Sequence, residues 1–262
     1  MPRRRGRRGY GYLLIVRLLV YAMLTGIFSN RGLKTHLETN IRIAKILGFK
    51  AIPHRTTISR WKQKHYQLLF HVVNRLGDIV RLIVPTDKLI ADSAPLPDPE
   101  DPDAKKGKTG RGWFIGFKIH SSINQLKIPL RAVFTTGNKH DSPIMPHLLV
   151  RANYVLGDCG YDSKSNRMLI ESMGAVPVIG RNPRRTGKRY KNPAMLKKHR
   201  YKVEQHNSLH KTEVLKGYWN KVKGFARKAT LAYAGIVTIQ VMAINALLNG
   251  TRNLFKISLY RY

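Results

Sequence analysis

Three acidic residues stand at positions where carboxylates can do chemistry. Asp92 follows the apolar run that starts at residue 88, and Asp158 ends the apolar run of residues 154–158, just before a glycine turn. Open α/β sheets place ligands and reacting groups at the carboxyl ends of their strands. If these two strands are neighbours, Asp92 and Asp158 converge at one edge of a sheet.

The third acid, Glu204, lies in residues 199–211, whose composition is typical of a helix. On a helix, side chains three, four and seven positions apart share one face. The residues that share a face with Glu204 are Arg200, Asn207 or Ser208, and Lys211.

Three carboxylates within a few ångströms of one another repel each other unless cations neutralise them. Oxygen-only ligands select hard ions such as Mg²⁺ or Mn²⁺. Two such ions activate a water or hydroxyl nucleophile and stabilise the leaving oxygen in phosphodiester cleavage or transesterification. Asp also ends strands and caps helices for purely structural reasons, and that reading stays open for each acid taken alone.

The charge of the chain selects a class of partner. There are 48 Lys and Arg against 14 Asp and Glu, which gives a formal net charge of +34 over 262 residues. A polyanion is therefore the expected partner, and nucleic acid, an anionic membrane surface or a ribonucleoprotein all fit. The single cysteine, Cys159, excludes an intramolecular disulfide and any cysteine-rich zinc site, and favours a reducing, intracellular setting.

Two apolar runs, residues 10–28 and 229–249, are interpreted as buried helices rather than membrane spans. Arg17 interrupts the first run, and the second contains several Thr, Asn and Gln side chains. A membrane span needs about 20 largely uncharged residues.

Two charged segments have different expected roles. Residues 181–202 contain ten Lys or Arg, including Arg184 and Arg185, and no acid, so we expect a track along a phosphate backbone. Residues 94–108 hold four acids but lack the glycine and terminal glutamate of an EF-hand loop, so we expect a solvated, flexible loop. These acids are Asp98, Glu100, Asp101 and Asp103.

Residues 1–86 are predicted to be helical. A short helix at residues 42–48 ends at a glycine, and a second helix begins with Thr56 as its N-cap. This pattern is that of a helix–turn–helix, whose second helix enters the major groove of DNA. Its exposed face would carry Thr57, Ser59, Arg60 and Lys62.

From residue 87 onward the pattern changes to α/β. Strands are predicted at 88–93, 113–120, 129–136, 154–158 and 175–179, with helices at 141–150 and 163–173. Three strands in succession favour antiparallel pairing, and the later alternation favours parallel pairing. The prediction is a mixed sheet with helices on its faces.

The sequence resembles the DDE-class transposases of bacterial and archaeal insertion sequences, particularly the insertion-sequence-five-like group. The segments that carry the resemblance are 90–93 (IADS), 155–163 (VLGDCGYDS) and 203–211 (VEQHNSLHK). In these transposases the glutamate helix has Tyr, two residues, Arg, three residues, Glu, six residues, Lys. Arg200, Glu204 and Lys211 fit this spacing, whereas Lys197 stands at the Tyr position.

The resemblance implies an RNase H-like catalytic domain over residues 87–262, with a basic insertion near 181–202, and a helical DNA-binding region over 1–86. It implies Mg²⁺- or Mn²⁺-dependent cleavage at the ends of a mobile element and strand transfer to target DNA. Asp92, Asp158 and Glu204 would hold the metals, two ions in all, and Arg200 and Lys211 would contact DNA. A homodimer or larger synaptic complex in the prokaryotic cytoplasm, associated with the nucleoid, is expected.

Two further residues, Lys118 and Asp141, are weaker candidates. Lys118 lies on a predicted strand beside Asp92 and would contact a phosphate. Asp141 would be either a fourth acid near the site or the cap of a turn. Two rival functions stay open beside the transposase: another RNase H-like nuclease or resolvase, and a basic nucleic-acid-packing protein without catalysis.

Overall fold

The structure is a computed structural model that describes residues 10–110, 112–183, 187–188 and 190–260. Its first part is helical, as predicted. The helices are α1 (Tyr12–Thr25), α2 (Asn30–Thr39), α3 (Ile41–Leu47), α4 (Arg55–Lys64) and α5 (Tyr66–Ile83).

A six-stranded sheet follows. Its strands are β1 (Lys88–Pro97), β2 (Lys105–Thr109), β3 (Gly112–Ile123), β4 (Pro129–Thr136), β5 (Tyr154–Gly157) and β6 (Val176–Ile179). The spatial order is β2-β3-β1-β5-β6, and β4 also pairs with β3. β1 is antiparallel to β3 and parallel to β5, and β5 is parallel to β6. The predicted mixed sheet is confirmed, while β2 was not predicted.

The remaining helices are α6 (Met145–Leu148), α7 (Lys164–Ser172), α8 (Ala194–Ser208) and α9 (Phe225–Leu248), with a π-helical segment, Leu209–Val214, after α8. α8 begins inside the basic stretch of residues 181–202, so part of that stretch is helix. In the part of the chain that the structure describes, α9 is long and apolar enough to cross a membrane. Most of it is buried, because it packs against α1, α4, α5 and β4 as the central helix of the core.

One hydrophobic core joins the N-terminal helices to the sheet. Ile15 of α1, Leu69 of α5, Phe117 of β3 and Ile236 of α9 belong to the same buried cluster. The close approach of α5 to β4 depends on Gly77, because a Cβ there would stand 1.9 Å from the carbonyl oxygen of Leu130. The N-terminal helices therefore support the sheet directly.

The acidic loop is not the solvated, flexible segment that the sequence indicates. Asp98 and Asp101 are buried, and Lys228 Nζ of α9 lies 2.5 Å from Asp98 Oδ2 and 3.5 Å from Asp101 Oδ2. Asp101 and Asp103 also accept hydrogen bonds from the backbone N–H groups of Gly224 and Phe225. These carboxylates satisfy the open amides and the positive dipole at the start of α9, which explains why so many acids occur here.

The second helix of the predicted helix–turn–helix departs from expectation in two ways. The N-cap of α4 is His54 rather than Thr56, since His54 Nδ1 accepts from the backbone N–H of Thr56. Lys62 is not on an exposed face: it is 4% exposed and its Nζ donates to the carbonyl oxygen of Phe28 at 2.7 Å. Burial lowers the pKa of Lys62 to about 8. Arg60 is exposed, as predicted.

Candidate active site

Asp92 and Asp158 occupy adjacent positions on neighbouring strands. The parallel pairing of β1 with β5 ends at Ala91 and Gly157, and the two aspartates follow immediately. Neighbouring strands lie about 4.8 Å apart, so the two side chains start from neighbouring points. β1 is longer than predicted and continues to Pro97, so Asp92 lies inside the strand, where its pairing with β5 stops.

The carboxyl groups of Asp92 and Asp158 both have a pKa above the ordinary value for aspartate. Burial raises the pKa of Asp92 to about 7, and the charge of Asp158 adds to the rise. Burial and the charge of Asp141 raise the pKa of Asp158. The positive charge of Arg200 opposes the rise at both carboxyls. Three carboxylates therefore act on one another across this small region.

Asp158 also has a structural role as the cap of a turn. It caps the short 3₁₀ turn Cys159–Tyr161, and its Oδ1 accepts from the backbone N–H of Gly160 at 2.9 Å. A Cβ on Gly160 would stand 3.0 Å from Asp158 Oδ1 and 3.0 Å from Asp141 Oδ2. Glycine at this position thus leaves room for two carboxylates, which a cap alone does not require.

Helix α8 lies across the acidic pair. Asn207 Nδ2 donates to Asp92 Oδ2 at 3.0 Å, and Ser121 Oγ of β3 donates to Asn207 Oδ1 at 3.4 Å. Val203 and Leu196 of α8 anchor it in a buried cluster with Ile90 and Leu156 of the sheet. The sequence placed Asn207 on the same helix face as Glu204 without assigning it a role.

Glu204 is exposed and turned toward Arg200 of its own helix. Arg200 Nε lies 3.1 Å from Glu204 Oε1, and the two side chains are 44% and 59% exposed. The positive charge of Arg200 therefore acts on Asp92 and Asp158 as well as on Glu204. The structure brings the two aspartates together and places Glu204 on the helix that covers them.

Asp141 is indeed a further acid beside the site. Its Oδ1 accepts from Lys118 Nζ at 3.0 Å, and its Oδ2 accepts from Ser93 Oγ at 3.1 Å. His120 Nδ1 lies 3.6 Å from Asp141 Oδ1. Asp141 has no side-chain capping bond to the 3₁₀ turn that follows it. Ser93 and His120 were missed by sequence reasoning, although they face each other in the pairing of β1 with β3.

Lys118 differs from its predicted role as an exposed phosphate contact. It is 6% exposed, and its Nζ donates both to Asp141 and to the carbonyl oxygen of Lys139. The side chain is therefore an internal counter-ion. The alternation of β3 explains the difference, since Lys118 points to the face opposite Phe117, toward Asp141.

The other residues predicted to contact DNA differ in their exposure to solvent. Arg60 and Arg200 are exposed, and Lys211 is partly buried in the π-helical segment. Arg184 and Arg185 lie outside the described residues. Among the residues that the structure describes, no three His, Cys, Asp or Glu side chains stand close enough together to hold a metal ion.

The strand order, with one antiparallel pair and one parallel pair flanking the strand that carries Asp92, is that of an RNase H-like fold. The family model described as "Transposase DDE domain" matches residues 85–239, more than half of the chain. A second model, "Transposase domain (DUF772)", matches residues 1–64. The chain therefore belongs to the DDE transposases of insertion sequences.

Among solved structures, this chain is similar to one titled "Cryo-EM structure of piggyBac transposase synaptic complex with hairpin DNA (SNHP)". It shares 11% identity with this chain at a TM-score of 0.42, over 98% of this chain and 73% of that one. No curated protein matches the sequence.

Membership of the family settles the type of reaction. The chain is a transposase that cleaves DNA and transfers strands in a metal-dependent reaction. Transposases act on DNA, and this family generally uses divalent metals. Membership of the insertion-sequence-five-like group stays a prediction, as do the individual site residues.

Proposed function

We propose that Asp92, Asp158 and Glu204 are the catalytic carboxylates of this transposase and that they hold two Mg²⁺ or Mn²⁺ ions. The observation that carries the proposal is the adjacency of Asp92 and Asp158 at the end of the β1–β5 pairing, with the pKa of both carboxyls raised. A buried acid pair of this kind is stable in its ionised form only with a cation beside it.

The residues present fit a hard divalent ion. The donors are carboxylate oxygens; His120 lies against Asp141, and the thiol of Cys159, which follows Asp158 in the chain, has its pKa raised by burial and by the charge of Asp158. When bound, the ions supply a Lewis acid for the attacking and leaving oxygens of the phosphodiester. Glu204 completes the set if its carboxylate leaves Arg200, an exposed ion pair that contributes little stability.

The chain's own residues have distinct tasks in this proposal. Asn207 holds the orientation of Asp92 through its 3.0 Å hydrogen bond. Arg200, once released from Glu204, is free to contact the phosphate next to the cleaved bond. Lys211, one helical segment further on, is proposed as a second phosphate contact, and Arg60 on α4 as a contact to more distant DNA.

The proposed substrate is double-stranded DNA at the terminal repeats of the element, together with target DNA. Since two ends must be joined to one target, we propose that the active form is a homodimer or a larger synaptic complex. The net charge of +34 supports the DNA-binding part of the proposal, because it provides the cations that surround a small acidic centre.

The test is cleavage of end-labelled duplex that carries the element's ends, with Mg²⁺, Mn²⁺ or a chelator. We expect wild type to release 3′-hydroxyl ends only with metal, and Asp158→Asn and Glu204→Gln to release none while they still bind the duplex. Glu171→Gln is the matched control, because Glu171 is an exposed acid on α7.

A second readout separates metal binding from activity. Calorimetric titration with Mn²⁺ is expected to show weaker binding for Asp92→Asn and Asp158→Asn than for wild type and Glu171→Gln. Equal Mn²⁺ affinity in all four proteins would contradict the assignment of the site. Strand joining to a target plasmid distinguishes a transposase from a nuclease that only cuts.

A further inference from the structure

One part of the sheet projects beyond the site described above. β2 pairs with the first residues of β3, from Lys105 opposite Gly116 to Thr109 opposite Gly112. The pairing of β3 with β1 ends at Gly116, and its pairing with β4 begins at Phe117. Residues 105–109 and 112–115 thus form a two-stranded ribbon, which extends past β1 and β4.

One face of this ribbon combines lysines with exposed apolar side chains. Lys106 pairs with Ile115 and Lys108 pairs with Trp113, so these four side chains lie on the same face. Trp113 is 65% exposed and Ile115 is 44% exposed. Residues 104–116 contain four basic residues and no acid in the sequence.

The two lysines are arranged around the indole ring. Lys106 Nζ lies 4.8 Å from the centre of the Trp113 ring, and Lys108 Nζ lies 5.2 Å from it. Such cation–π contacts stabilise an exposed site only weakly. A Trp flanked by two lysines and next to the exposed Ile115 matches a partner that has both phosphates and flat apolar groups.

The ribbon face is on the side of the sheet that carries Asp92. Trp113 and Ile115 alternate with the same parity as Ser121, which is the register partner of Asp92 on β3. Eight residues separate Trp113 from Ser121, which corresponds to about 27 Å of strand. Phe117 and Ile119 lie between them on this face and are buried in the core cluster that includes α9, so the ribbon is an open part of the face beyond the packed core, at a distance of roughly eight base pairs of about 3.4 Å each.

We propose that the β2–β3 ribbon is a second DNA-contacting element, which inserts into a groove of the duplex next to the cleavage site. The major groove is wide enough for a two-stranded β-ribbon. Lys106 and Lys108 contact the phosphates on the groove walls, and Trp113 packs its ring against the base edges and sugars. This inference rests on the proposed function for its substrate but assigns a surface that the acidic site does not include.

The experiment measures the affinity of the full chain for a labelled duplex several helical turns long, by fluorescence anisotropy over a salt series with chelator present. We expect Trp113→Ala to weaken binding about tenfold and Trp113→Phe to restore most of the loss. Leu82→Ala is the matched control, because Leu82 is 85% exposed on α5 and lies outside the ribbon.

The contribution of Lys106 and Lys108 is measured separately, through the salt dependence of DNA binding. If Lys106 and Lys108 both contact phosphates, replacing both by Gln lowers the slope of log Kd against log salt by up to about 1.8. Melting temperatures of all variants are compared with wild type, so that a loss of folding is not read as a loss of binding.

The possible results separate the two proposals. Unchanged affinity for Trp113→Ala, together with an unchanged salt slope for the double variant, overturns the ribbon as a DNA contact and leaves the acidic site untouched. A Trp113→Ala effect on the association of the chain with itself, and not on DNA affinity, also overturns it. A wild-type chain that binds no duplex at all contradicts the DNA substrate, and both proposals fail.

Discussion

The side chain of Asn207 donates a hydrogen bond to Asp92 across 3.0 Å, and this bond joins α8 to β1 at the acidic site. Groups that orient a metal-ligating carboxylate typically change activity or metal affinity by about 10–100-fold when removed. We therefore expect Asn207→Ala to lower the DNA cleavage rate by that factor and to change the melting temperature little.

The control for Asn207 is its neighbour Ser208. Ser208 is exposed on the same helix and directly follows Asn207. Ser208→Ala is expected to cleave DNA at the wild-type rate. Equal rates for Asn207→Ala and Ser208→Ala would show that the Asn207–Asp92 bond is dispensable.

Lys118 and Arg200 are predicted to behave in opposite ways, although both are cations near the aspartates. Lys118 is almost fully buried and paired with Asp141, whereas Arg200 is exposed. Lys118→Met leaves Asp141 without its cation, so we expect a lower melting temperature and an unchanged salt dependence of DNA binding. Arg200→Ala is expected to keep the melting temperature and to weaken DNA binding. Thermal unfolding and anisotropy on the same samples decide between these outcomes.

The acidic loop is predicted to contribute to stability through Lys228. This lysine is 2% exposed and is paired with Asp98, which is itself buried. Removing one partner of a buried pair costs about 3–5 kcal/mol, because the other charge is left without compensation. We expect Lys228→Met to lower the free energy of unfolding by this amount in urea denaturation. Lys223→Met, which removes a solvent-exposed partner of the same Asp98, is expected to change it far less.

Local patterns in the sequence were sufficient to place five of the six strands and the two aspartates. The apolar runs before Asp92 and Asp158 fix two strands, and parallel pairing then brings the acids together. The same reasoning failed for Lys62 and Lys118, because burial of a charged side chain depends on a distant partner. The partner of Lys62 is the carbonyl of Phe28, and that of Lys118 is Asp141.

The acidic loop and the ribbon show a second limit of prediction from the sequence. Asp98 and Asp101 form ion pairs with Lys228, which is distant in the sequence, and no short-range pattern indicates that contact. β2 was missed because Lys105–Thr109 has the composition of a solvated loop; its pairing with β3 is visible only in three dimensions. Spacing within one element is readable from sequence, whereas pairing between distant elements requires the fold.

Two buried histidines near the end of α8 predict how stability depends on pH. His206 and His210 are each 1% exposed, and neither ring nitrogen of His206 has a hydrogen-bond partner. Burial lowers the pKa of His206 to about 3 and that of His210 to about 4, from an ordinary value of 6.5. Between pH 6.5 and about pH 4, these histidines are protonated in the unfolded chain and neutral in the folded chain. The stability contribution is therefore complete above pH 6.5 and is lost as the pH falls toward 4.

Each histidine adds a slope of about 1.4 kcal/mol per pH unit to the free energy of unfolding in this range. His206→Leu removes one titrating group and two unpaired buried nitrogen atoms, so we expect a flatter acid limb and stability at pH 7 at least equal to that of wild type. Urea denaturation between pH 4 and 7 measures both. The large positive charge of the chain acts on both proteins alike, so the difference between their slopes isolates His206. If the free energy of unfolding has the same pH dependence in wild type and in His206→Leu, His206 must bind its proton in the folded state. That result would contradict the effect expected from its burial.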